Sequence, residues 1–445
     1  MRFRTATALT GALALSLVSG CAQGGAGSSA NTVTYWLWDT NQLPAYQACA
    51  EDFEKRNPGL EVRISQMGWD DYWTKLTASF IAGTQPDVFT DHIQKFGQFA
   101  GLKVLEPLDD LGIEDSDYQP GLAASWVGED GHRYGTPKDW DTVVLFYNER
   151  MTRDAGLSAE ELNGLSWNPE DGGTFEKAVA HLTVDEQGRR GDEPGFDKDN
   201  VKTYGLASNG GGDGDGQTTW SHFVASAGWT YTDKERWGTE YRYDDDTFQS
   251  VIEWYFGLAD KGYLAPLTDY SQSNEANAQV AAGRAATAFD GAWMLSTYAG
   301  LEGMDVATAV TPVGPTGKRA TMMNGLADSV TRNARNKPGA LKWVKYLASE
   351  ECQRTVGGHG IVFPATPDGT EAAVAAYEKK GIDVSAFTRP VDETTDFRTF
   401  TYPITNYAAD VHALMQPAMQ DIYGGGKPVS GLDETNDQIN LILDQ

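Results

Sequence analysis

At four places along this chain a tryptophan stands close to a carboxylate: Trp38-Asp39 with Asn41 nearby, Trp69-Asp70, Trp140-Asp141, and Asp290 with Trp293. Such pairs suit a polyhydroxylated ligand. An indole ring covers apolar C–H faces, carboxylates accept hydrogen bonds from hydroxyls, and amides both donate and accept. The chain holds 13 Trp and 19 Tyr, enough for several such surfaces. Large aromatics also fill cores, so each pair has packing as its rival explanation. Other site chemistry lacks its spacing. The six histidines show no His-x-x-x-His pattern. Asp213-Gly214-Asp215-Gly216 opens like a calcium loop, but Val224 stands where such a loop needs glutamate. The glycine-rich stretches at 210–216 and 424–427 lack the Lys-Ser/Thr of a phosphate loop, and there is no Gly-x-Ser-x-Gly elbow. No metal and no cofactor is expected. Asp139 and Asp141, two apart on one strand face, leave an alternative open: the carboxylate pair of an exported glycan-active enzyme.

The elements that must position these residues follow from hydrophobic periodicity. Residues 33–38 alternate as a strand; Leu43, Tyr46, Ala50 and Phe53 recur at helical spacing until Asn57-Pro58-Gly59. A second strand follows at 60–64, a helix at 70–81 ending at Gly83, and a third strand at 87–90. This β-α-β-α-β order predicts an α/β fold with parallel strands and right-handed crossovers. Ligands of such sheets collect beyond the carboxyl ends of the strands, here Trp38-Asp39, residues 66–69, and Asp91-His92. Further on, the pattern predicts a strand at 142–147, a helix near 248–259, an apolar run at 285–289, a strand at 306–310 and a helix at 337–347.

With 445 residues the chain exceeds one core and predicts two domains. Arg2 and Arg4 precede an apolar stretch at 8–18, too short to span a membrane, so residues 1–20 read as a signal peptide. Leu17-Val18-Ser19-Gly20-Cys21 resembles the lipobox of bacterial lipoproteins, which implies cleavage, a lipidated Cys21, and a flexible tether over 21–30. Losing the two leader arginines takes the net charge from −28 to −30. That balance argues against nucleic acid, since no Lys/Arg block exists to displace its counterions, and against broad contact with anionic lipid. The lipid anchor is the only membrane contact expected. Cys49 and Cys352 then remain, either as a disulfide or as two buried thiols.

Four blocks resemble the extracellular solute-binding proteins of carbohydrate ABC importers, the maltose-binding proteins among them. They are residues 57–62, Ala82-Gly83-Thr84-Gln85-Pro86-Asp87-Val88, Tyr134-Gly135-Thr136-Pro137 with Leu145-Phe146-Tyr147-Asn148, and Ala282-Gly283-Arg284-Ala285-Ala286 leading to Asp290-Gly291-Ala292-Trp293. The resemblance implies a two-lobed periplasmic-binding-protein-like α/β fold of type II, with a ligand cleft between lobes joined by hinge segments. It divides the chain into 31–138 with 311–364 and 139–310 with 365–445, with crossings near 137–141, 307–312 and 362–366. This places Cys49 and Cys352 in one lobe. It implies a sugar ligand, a membrane permease as partner, a monomer facing the outside, and no catalysis; a polyol is the alternative ligand. By motif match Trp293 stacks on the ligand and Asp141 accepts its hydroxyls, with Trp140 beside it. Asp91 and Gln94 fall where relatives place polar contacts. Asn324-Gly325 resembles a turn that exposes backbone N–H groups. Trp220 and His222 would cap the cleft, and Phe400 and Tyr402 fall where relatives carry an aromatic. Trp38, Asp39, Asn41 and Trp69 complete the expected site.

Overall fold

The computed structural model describes residues 31–210, 214–271, 274–301, 303, 305–392 and 395–444. The leader, Cys21, the tether and Asp213 lie outside the described residues. The chain opens with β1 (Thr32–Leu37), α1 (Leu43–Arg56), β2 (Glu61–Gln66), α2 (Trp69–Ala82), β3 (Val88–His92) and α3 (Ile93–Gly101). α1 carries a proline in its first turn and Lys55 and Arg56 in its last, both placed to suit a helix's ends. α2 carries Asp70 and Asp71 in its first turn and stops at Gly83, whose φ of 67° is the left-handed conformation that a helix C-cap favours. β1 pairs in parallel with β2 on one side and β3 on the other. Val33, Tyr35, Leu37, Tyr46 and Phe53 pack with Trp343, Val344 and Leu347 of the helix Lys337–Leu347. Each large side chain buried there contributes roughly 1.5–3 kcal/mol.

Asp87 explains the Pro-Asp block. Its carboxylate accepts from the Thr34 N–H at 2.9 Å, the Thr34 hydroxyl at 2.8 Å and the Asn336 N–H at 3.0 Å. One buried carboxylate thus holds β1 beside the start of the helix Lys337–Leu347, charge-assisted at each bond.

The strands continue as β4 (Thr136–Asn148), β5 (Val184–Asp185), β6 (Val201–Leu206), β7 (Ala285–Gly291), β8 (Val306–Ala309), β9 (Arg319–Val330), β10 (Phe363–Pro364) and β11 (Phe397–Phe400). Their order is β2-β1-β3-β9-β4-β7-β6-β5, with β8 and β10 also on β4 and β11 on β9. β4 is buried along its whole length. It begins six residues earlier than the strand expected from sequence at 142. Residues 136–141 look too polar for a core, yet their polar groups find partners inside it: Lys138 Nζ donates to the Tyr35 hydroxyl at 2.7 Å, which donates to Asp328 at 2.7 Å, and Lys138 lies 3.3 Å from the centre of the Tyr46 ring.

β9 is also longer than expected. It pairs with β11 through Met322, with β4 from Met323 to Asp328, and with β3 from Leu326 to Val330. Asn324 and Gly325 therefore lie inside a strand and not in a turn, because Asp141 and Trp140 of β4 occupy the ladder beside them. Asp91 and His92 likewise fall within β3, opposite Ala327 and Leu326, not beyond its end. A disulfide joins Cys49 of α1 to Cys352 of the helix Glu350–His359, with Cα atoms 5.5 Å apart. That helix packs on Pro367–Lys379 so closely that a Cβ on Gly357 would stand 2.2 Å from the Gly369 carbonyl oxygen. Among the described residues no helix is long and apolar enough to cross a membrane.

Candidate functional site

The ends of β1 and β2 and the start of α2 place a group of aromatic rings together. The Trp38 ring meets Trp69, Tyr72 and Trp73 at 5.1, 5.1 and 5.4 Å, and His92 at 6.2 Å. Trp69 also meets His92 at 5.4 Å, and His92 reaches Tyr402 at 5.6 Å from the far end of the sequence. Trp69 remains 40% exposed and Trp38 half-buried, so part of this aromatic surface faces outward. Asp39 closes the turn after β1 by accepting from the Asn41 N–H at 2.8 Å; Asn41 itself is exposed.

A set of buried polar groups lies along the β3–β9–β4 seam. Asn324 donates to Asp141 at 3.4 Å across the ladder. One oxygen on each of Asp91, Asp139, Asp141 and Asn324 is buried and has no hydrogen-bond partner among the described residues. Neither ring nitrogen of buried His222 has one. Such groups are costly unless something completes their bonding. Burial lifts the Asp139 carboxyl to about 7 and pushes Asp91 and Asp141 well above the usual range, with Asp139 adding repulsion at Asp141. Burial also lowers His92 and His222 to about 3, which keeps both rings neutral. The seam is a row of uncharged or easily neutralised hydrogen-bonding groups, suited to hydroxyls.

A cavity of about 360 Å³ adjoins this seam. Its inner side touches β9 at Met323 and Gly325, which face the opposite way from Asn324. One wall is formed by residues 120–126, including Trp126; the other by the helix Ser221–Ser226 and residues 229–236; and residues 398–403 run along it. The volume is at the small end of the range for small-molecule sites. Two contacts draw the walls together: Arg236 donates to the Ala124 carbonyl and the Trp237 indole donates to the Val127 carbonyl at 3.2 Å. Nearby, Gln94 donates to the Asp215 carboxylate, which also contacts the His412 ring at 3.2 Å.

The structure does not bring every expected residue to this place. Trp140 points to the opposite face of β4, stacked on Phe363 at 5.1 Å with its N–H on the Thr370 hydroxyl at 3.0 Å, because neighbours on a strand face opposite ways. Trp220 is fully buried against Phe248, Tyr231 and Trp229, so its ring supports the wall from behind and presents no face. Asp290 is likewise engaged, accepting from the Gly291 N–H at 2.9 Å and the Tyr298 hydroxyl at 3.3 Å. Trp293 is half-buried and folds back over Gly291, where a Cβ would stand 1.7 Å from its ring. That contact is why the Gly-x-Trp block needs glycine. Tyr402 is buried beside the cavity-lining Thr401 and Pro403. Sequence reasoning passed over Trp126, Asp215, His412, Arg398 and residues 229–236. The segment Trp229-Thr230-Tyr231-Thr232-Asp233 carried the same aromatic-beside-polar signal as the pairs that were singled out.

Residues 48–381 match the family model described as bacterial extracellular solute-binding protein. The chain belongs to that family. A Brucella abortus protein named as a binding protein is 24% identical over 448 residues, covering 96% of each chain. The maltotriose-binding protein of Pyrococcus abyssi is 27% identical over 136 residues, about 30% of each. Among solved structures, an ABC substrate-binding protein of Listeria monocytogenes in complex with cycloalternan superposes with a TM-score of 0.77 at 18% identity, over 93% of this chain and 99% of that one. The solute-binding family gives this chain an extracytoplasmic place, and its two-lobed α/β fold is that of binding proteins.

Proposed function

We propose that this solute-binding protein captures a sugar between its lobes and delivers it to the permease of an ABC importer. The observation that carries this reading is the set of buried, unpartnered oxygens on Asp91, Asp139, Asp141 and Asn324, in a molecule that also keeps the indole rings of Trp38 and Trp69 partly open. Hydroxyls complete the oxygens' bonding and C–H faces lie on the rings. The ligands named for the Pyrococcus and Listeria proteins, maltotriose and cycloalternan, support a carbohydrate. Asp141, Asn324, Asp91, Trp38, Trp69, Gly325 and Trp293 are the contacts we assign, with Asp39, Gln94 and Tyr402 shaping them. The lobes join where β9 leaves β11 for β3, at residues 323–325, and at 139–141 of β4, which supports a hinge in those two strands. Cys21 anchors the body, as a monomer, to the membrane by its lipid.

The test is a thermal-shift screen of the domain from residue 22 onward with neutral mono- and oligosaccharides, polyols, amino acids and peptides. A ligand present at a thousandfold its Kd adds about 4 kcal/mol to the folded state. Selective stabilisation by one sugar class without product supports the reading. Product formation points to the Asp139–Asp141 enzyme, and a response only to amino acids or peptides removes the sugar. Palmitate labelling that disappears in Cys21→Ala tests the anchor.

A further inference from the structure

The cavity's walls carry charge of the sign opposite to the protein's. Against a chain net charge of −28, the ionisable residues lining it are Lys234, Arg236, Arg398 and one acid, Glu235. Lys234 has Asp233 at 3.9 Å. Neither guanidinium has a carboxylate within ion-pair distance among the described residues, and Glu235 acts on Arg398 from further off. Arg398, on β11, is half-buried and donates from one terminal nitrogen to the carbonyls of Ala225 and Trp229 at 3.0 and 3.1 Å, which fixes its head on the cavity wall. Arg236, on the loop at the rim, donates to the Ala124 carbonyl across the cavity. Arg398 sits beside apolar groups, Trp229, Phe400 and Pro403, where a charge is screened less than in open water; Arg236 is exposed at the rim. A guanidinium offers five N–H groups in a planar fork, and these carbonyl bonds leave donors unused on each.

We propose that the cavity takes an anionic group of the ligand, a carboxylate or phosphate held by Arg398 and Arg236. The inference rests on the sugar reading and narrows it to acidic saccharides. With three cations against Glu235 the cavity is short of negative charge, which a neutral sugar does not supply; a uronate or sugar phosphate supplies it and can meet a guanidinium bidentately.

The experiment measures calorimetric affinity of the domain from residue 22 onward for matched sets: glucose, glucuronate and glucose 6-phosphate, then maltose, maltobionate and maltose 1-phosphate. The expected result is that one anionic member binds at least about tenfold more tightly than its neutral parent, the scale of one charge-assisted hydrogen bond, with the preference shrinking as salt rises. Arg398→Gln is expected to cut the anionic-to-neutral affinity ratio about tenfold. Arg236→Gln, at an exposed position, serves the same readout if Arg398→Gln fails to fold. The carboxylate and phosphate arms separate the two sources of charge. Equal or tighter binding of the neutral parents, or an unchanged ratio in both variants, overturns the inference and leaves the sugar reading standing. No binding by any member, together with a failed neutral screen, overturns both.

Discussion

Asp141 and Asp139 have opposite meanings for stability and for binding. Each is a buried carboxyl with an unpartnered oxygen, so each costs the ligand-free fold something and offers a ligand an acceptor. Asp141→Ala is expected to weaken ligand affinity by about 0.5–1.5 kcal/mol, the loss of a hydrogen bond to an uncharged group. It should leave the melting temperature of the ligand-free domain unchanged or higher; calorimetry and a melt on one preparation measure both. Asp139 carries a pH signature as well. Its folded pKa, raised to about 7 by burial, exceeds the unfolded value, so between the two the folded state holds more protons. Stability from this group is present at lower pH and lost as pH rises through about 7. The melting temperature should therefore fall from about pH 6 to pH 8, and Asp139→Asn should flatten that slope. An equal slope in the variant assigns the effect to the overall negative charge. At this scale the sequence showed residue types but not directions. Trp140 and Asp141 are adjacent and only strand parity separates a packed ring from a site carboxyl, while Trp220 is exchanged for Trp126 and Tyr231 by tertiary packing that no local pattern encodes.

Elements with one wet face were legible, and elements buried on both faces were not. α1, α2 and the helix Lys337–Leu347 fall within one or two residues of their periodicity, because each buries one side against the sheet. β4 and β9 lie between other strands and under helices, so alternation vanishes. Their polar residues pair with each other inside, as Lys138, Tyr35 and Asp328 do, and Asn324-Gly325 looks like a turn only when β4 is out of view. Covalent and steric ties then hold neighbouring elements in place. The Cys49–Cys352 bond spans 303 residues between α1 and the helix Glu350–His359. Replacing both cysteines with serine is expected to lower stability by about 2–5 kcal/mol. Ligand affinity should stay unchanged, since the bond lies away from the seam, and a denaturation curve paired with calorimetry separates the two effects.

At the scale of the whole molecule, contacts join the two sides of the cavity. α3 reaches the segment around Thr405, and a Cβ on Gly97 would stand 2.1 Å from the Thr405 carbonyl oxygen, so that glycine is what permits the approach. Gln94 one turn earlier meets Asp215, and Arg236 meets Ala124 on the other side of the cavity. On the proposed division into lobes these contacts lie between them, over one hydrophobic cluster that holds Phe96 and Trp126 together with Trp229, Tyr402 and Ile404. A ligand can shift an open–closed equilibrium only through contacts it makes better in one state, and the seam and cavity touch both walls. Gly97→Ala sets a methyl against the Thr405 backbone and, on the two-lobed reading, is expected to obstruct closure. Small-angle scattering of the variant should give a larger radius of gyration than the parent at saturating ligand, and calorimetry a weaker affinity, because part of the binding energy goes into relieving the clash. The ligand-free melting temperature should change little. If instead the variant loses stability while its radius stays the same, Gly97 is an ordinary packing residue and the Thr405 contact belongs to the fold, not to the motion.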